Sequence, residues 1–177
     1  TQGWREKGMK GNVIGRTMTH GYAGDYARQP DMIIDVHALG GTEPVVFGMP
    51  LVYNKESQVI GFGEHNVAAD FVGVASREIK SATEYLSQSV GKYQPNEAVS
   101  VFKRGCINVL CKVGTPKLGG KVYIRVVANE SIPTGVIGGF EAAEDTGKTI
   151  ELTNCEWHGE KDTNGVAEIR ILSCNRA

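Results

Sequence analysis

At 177 residues, 41% apolar and 22% charged, the chain has the size and composition of one ordinary globular domain and lacks the polar bias of a disordered one. A net charge of −1 argues against a general nucleic-acid binder, and no apolar run has the length of a membrane span. No secretory signal pattern is present either, so the expectation is a chain that engages neither nucleic acid nor membrane directly.

Residues 1–19 (TQGWREKGMKGNVIGRTMT) carry four glycines, no sustained period, and Arg5, Lys7, Lys10 and Arg16 against Glu6 alone. This reads as an extended N-terminal arm, with residues 20–177 forming the folded domain. Trp4 is costly to leave in water, which predicts that it docks on this subunit or a neighbour. Residues 20–28 (HGYAGDYAR) lack the Gly-Lys-Ser/Thr ending of a phosphate loop and read as a loop packing Tyr22 and Tyr26.

Short strands follow, punctuated by 23 glycines and 6 prolines in the whole chain. Residues 31–39 are a strand candidate, GGTEP (40–44) a turn, and 45–47 and 51–53 flank a break at 48–50. Hairpin chemistry at 54–57 leads to 59–62, and FVGVA (71–75) has the look of a core strand. Residues 76–86 are the single helix candidate, with Ile79, Thr83 and Leu86 on one side, although a loop accounts for them equally.

Residues 99–113 (VSVFKRGCINVLCKV) give the firmest signal. Alternation on either side of Gly105 predicts a long half-buried strand with a bulge, bend or register change at the glycine. A second strand is expected over 121–128. Residues 129–139 read as a loop and 141–148 as a charged turn. Strands are expected at 149–153, extending toward Trp157, and at 166–172, joined by an Asn-Gly hairpin at 159–165. Eight to ten short strands on turn spacing make the domain all-β, either a β-barrel or a β-sandwich of antiparallel strands. The stretch 99–128 has six bases and no acid, whereas 140–168 is rich in acids. Solvated strands of opposite sign, or a surface that docks on a charged partner, both account for this.

The residues that could carry chemistry form no constellation. Cys106, Cys111, Cys155 and Cys174 include no C-x-x-C, and no Cys/His set has zinc spacing, so no metal and no cofactor are expected. Free buried thiols are the expectation, with a Cys155–Cys174 bridge left open. Asp35 and His37 share a strand face, Gly-x-Ser-x-Gly is absent, and a Cys111–His37 pair is the sort of arrangement that only space, not spacing, decides. No catalytic residue is assigned.

The order of these segments resembles the tailed-bacteriophage structural cement, or capsid decoration, family. Phe47, Gly48 and Pro50 match its F-G-x-P strand; Phe71, Gly73, Ala75 and Arg77 its F-x-G-(I/V)-A-x-R run. Tyr93, Glu97, Val99, Val101, Gly105, Ile107 and Val109 follow its longest strand. Gly120, Val122 and Tyr123, then Gly165, Ala167, Ile169 and Ile171, complete the series. The likeness spans about residues 21–172, and order and spacing carry it rather than any one motif. The N-terminal arm is longer than a minimal family start, and four cysteines are many.

The resemblance implies a non-enzymatic virion structural protein, assembled in the host cytoplasm. It would bind the outer surface of an icosahedral phage head and cement neighbouring major capsid protein subunits against internal DNA pressure. It further implies a homotrimer or contacts between neighbouring copies. Within that reading the capsid-binding candidates are Trp4, Arg5, Lys7 and Arg16 on the arm, then Tyr22 and Tyr26. The competing readings are a carbohydrate- or receptor-binding β-module, a small hydrolase using Cys111 or Cys106 with a histidine, and an oligonucleotide-binding barrel.

Overall fold

A computed structural model describes residues 19–54, 56–78 and 91–173. Its strands, in chain order, are β1 (Ile33–Ala38), β2 (Val45–Val46), β3 (Pro50–Tyr53), β4 (Val59–Gly61), β5 (Phe71–Ala75) and β6 (Lys92–Tyr93). Then come β7 (Ala98–Val113), β8 (Lys121–Arg125), β9 (Phe140–Glu141), β10 (Thr149–Trp157) and β11 (Val166–Ile171). A 3₁₀ turn, Ala68–Asp70, precedes β5. The helix candidate over 76–86 falls mostly outside the described residues; Ser76 to Glu78 are non-helical.

The sixteen-residue β7 is the spine shared by two sheets. Its second half closes a five-stranded barrel in the order β7–β9–β8–β10–β11 and back to β7, so every strand has two hydrogen-bonded neighbours. Its first half belongs to a second five-stranded sheet, β1–β7–β5–β3–β4. That sheet curls until its two outer strands meet at one point, a parallel bridge between Leu39 and Val59, with Gly40 N–H donating to Val59 O at 2.8 Å.

Gly105 is the joint. Its φ is +108°, and an added Cβ would lie 2.1 Å from the Asp31 carbonyl oxygen, so only glycine fits. Here β7 changes neighbour: Arg104 pairs with Ile33 of β1 and Gly105 with Ile171 of β11. The irregularity also changes parity. Phe102 and Ile107, five residues apart, both face the barrel-side core, which an unbroken strand cannot arrange. Before the joint, Val99 and Val101 instead face the second core with Leu39, Phe47, Leu51, Val59 and Tyr93. The barrel-side core is filled by Ile107, Val109, Ile124, Phe140, Leu152, Trp157 and Ile169, all buried.

The strand expected over 121–128 ends at Arg125 as β8, and β9 lies between it and β7, running parallel to β7. The charged turn expected over 141–148 begins inside the fold: Glu141 belongs to β9 and is fully buried. The 159–165 hairpin forms as expected, its Asp162 carboxylate accepting the Asn164 and Val166 amides at 2.9 and 3.0 Å, with Gly165 at φ +79°.

Candidate interaction surfaces

The arm candidates Trp4, Arg5, Lys7 and Arg16 lie outside the described residues, as does Cys174. The chain enters the described domain at the barrel. His20 N–H donates to Asp162 Oδ2 at 2.9 Å, and Asn108 Nδ2 donates to His20 O at 2.6 Å. Residues 24–27 then run antiparallel beside β7: Gly24 N–H donates to Asn108 O at 2.7 Å and Ala27 N–H to Cys106 O at 3.0 Å.

That strip separates the two tyrosines the sequence could not tell apart. Tyr26 stacks on Phe102 with ring centroids 5.7 Å apart, and its hydroxyl bonds Ser76 Oγ at 3.4 Å and, closely, the Glu78 carboxylate. Burial first, then Glu78, pushes its pKa up to about 12, so it stays a neutral packing residue. Tyr22 is 66% exposed, with the Arg77 guanidinium 4.4 Å over its ring.

Two ionic clusters hold the surfaces in place. On the second sheet, Lys103 Nζ donates to Asp35 and, at 2.6 Å, to the Tyr53 hydroxyl, and His37 Nε2 lies 3.4 Å from both Lys103 Nζ and Tyr53 Oη. Burial alone would lower the Lys103 pKa; Asp35 and Tyr53 outweigh it and hold the ammonium charged. In the barrel, Arg125 forks onto Glu141 at 2.5 and 2.8 Å and reaches Asp145 Oδ2 at 2.8 Å, where Asn129 Nδ2 also donates at 2.8 Å. Arg125 and Glu141 side chains are fully buried. Their pairing ties the 126–148 segment, which carries the exposed Val127 and Val136, to the barrel wall. Carboxylates this close to turn residues normally read as solvated, so no local pattern marks Glu141 as turning inward.

The thiols are packing groups. Cys106, Cys111 and Cys155 are buried and unbridged. Burial, then the Glu168 carboxylate, pushes the Cys106 thiol up to about 11, and burial raises Cys111 and Cys155 as well. His37 pairs with Val99 and Cys111 with Phe140, near opposite ends of β7, so the suggested Cys111–His37 pair is not assembled. Among the described residues no group of three His, Cys, Asp or Glu is placed to hold a metal ion.

A feature that no motif announced lies where the second sheet stays open. Between residues 40–46 and the end of β4 is a groove of about 500 Å³ with Pro44, Val45, Val46, Met49, Ile60 and Phe62 on its walls. It arises from two distant segments diverging after one bridge, which periodicity cannot report.

Comparison with known proteins agrees with this architecture. No curated protein matches the chain. Among solved structures, a chain of the capsid of Myoviridae phage XM1 aligns with a TM-score of 0.64 at 13% identity, over 91% of this chain and 96% of that one. The N base of the head fibre gp8.5 of bacteriophage phi29 aligns at only 0.40 and 11% identity, over 81% and 97%. At such identities the first likeness speaks for the fold alone, and the second is too distant to carry an argument. The family model described as XM1 gp53 minor capsid protein matches residues 11–171, nearly the whole chain. This chain therefore belongs to the XM1 gp53 minor capsid protein family, a family of phage capsid-associated proteins.

Proposed function

We propose that this chain is a non-enzymatic cement protein that sits on the outer surface of a phage head. There it would clamp neighbouring major capsid protein subunits, as a homotrimer or in contact with adjacent copies, after assembly in the host cytoplasm. The family match over residues 11–171 is the observation that carries this reading. The physical case fits it. Two sheets on one continuous strand make a stiff wedge, and a stiff wedge loses little conformational entropy on binding. Many equivalent sites on a shell then let modest affinities add. The basic residues Arg5, Lys7 and Arg16 with Trp4 would supply the reaching contact, and Tyr22 an exposed face near the point where the arm begins.

The test is mechanical. Packaged heads lacking the chain, heated with and without added protein, should release DNA at a higher temperature when the protein is bound, in proportion to site occupancy. Identical release profiles at full occupancy would remove cementing from the account.

A further inference from the structure

The groove beside β4 has the features of a strand-docking site. In the β3–β4 pair, Asn54 N–H donates to Gln58 O at 2.9 Å and Phe62 N–H to Pro50 O at 3.0 Å. Backbone groups of residues 58, 60 and 62 thus point at β3, and those of Val59 and Gly61 point away from it. Val59 is met by Gly40. One step further on, the chain turns off into β2, and Gly61 faces the groove on the edge of β4 that carries no strand among the described residues. Gly41 and Gly61 bring no side chains, so a backbone can approach closely, while the apolar walls suit one large side chain. Among the described residues, Glu43 is the single charged one in the lining.

We infer that this groove receives the N-terminal segment of a second copy of the chain, adding it as a short strand on β4 with Trp4 between the apolar walls. The match is chemical. Residues 1–18 hold Trp4 beside Gly3, and their Arg5 and Lys7 suit Glu43. Extended, eighteen residues reach roughly 60 Å, enough to cross to a neighbour. The segment joins the described domain at His20, whose partners Asn108, Glu160 and Asp162 line no part of the groove, so it has to span some distance to reach one. This rests on the reading of residues 1–18 as a contact arm and is independent of head binding.

The test uses the full chain without heads. Chains carrying p-benzoylphenylalanine in place of Trp4, prepared light and ¹⁵N-labelled and mixed equally, are irradiated at assembling concentration and the products mapped by mass spectrometry. Cross-links to residues 40–46, 49 or 60–62, with mixed-isotope products at the statistical share, are expected. Cross-links elsewhere, none at all, or groove products within single chains only would each overturn the inference. In sedimentation, Trp4→Ala should weaken self-association about tenfold or more. Glu43→Arg, an exposed change that spares the core, should weaken it less and be restored by Arg5→Glu with Lys7→Glu. Failure of that charge exchange to restore association would contradict the assigned partner even if heads are still bound.

Discussion

The barrel and the open sheet share β7 yet finish their edges differently. In the barrel each strand has two partners, no backbone edge remains, and the interior is filled from Ile107 to Trp157. Among the described residues the second sheet meets itself only at Leu39 and Val59, leaving β1 and β4 each with an edge that carries no described strand. Val36 on β1 is 65% exposed and Val46 beside the groove 54%. In the proposed function the closed ring would bear load and the interrupted one would accept a partner. Gly105 stands at the boundary between them.

The largest expected effect is at that boundary. Gly105→Val places a side chain on the Asp31 carbonyl at a φ that branched residues do not tolerate, and should cost upwards of about 3 kcal/mol or prevent folding. Denaturant unfolding measures it; a loss under about 1 kcal/mol would mean the two halves are not coupled through this residue. Next, Arg125→Met strands the buried Glu141 and should cost about 3–5 kcal/mol, most of it recovered when Glu141→Leu is added. The comparable change in the open sheet, Lys103→Met, leaves an Asp35 that is half exposed and should cost about 1 kcal/mol. Equal costs would erase the distinction between the two regions.

A smaller effect separates the tyrosines. Tyr26→Ala should destabilise the fold by about 2 kcal/mol through the lost stack on Phe102, and Tyr22→Ala by under about 0.5 kcal/mol while still weakening partner binding. The smallest is a pH dependence. Hydrogen bonds from Asn129 and Arg125 hold the Asp145 carboxyl below the ordinary aspartate value of about 3.9. Its stabilisation is therefore complete above that pH and lost as pH falls through the lower folded value. Asp145→Asn should flatten the acid limb of the stability profile there and leave the neutral region's slope unchanged.

Much of this was legible in the residues and some of it was not. Period-two alternation with a central glycine located β7 and its break, and turn chemistry located the 159–165 hairpin, because both signals are local. Barrel closure was not readable. It depends on β9, two residues long, slipping parallel to β7, and on β11 returning to it across more than fifty positions. The inward turn of Glu141 was hidden for a related reason: its partner Arg125 is sixteen residues away, on a strand whose pattern shows only that it is half buried. Tyr22 and Tyr26 look alike in sequence, and only the strip laid along β7 gives one a pocket and the other solvent.

The central claim, that this chain grips a phage shell, is met most directly by sedimenting it with empty expanded heads, as the full chain and as a version beginning at His20. The account predicts saturable binding by the full chain, weakened at least tenfold when residues 1–19 are removed. Absence of saturable binding by the full chain would contradict it.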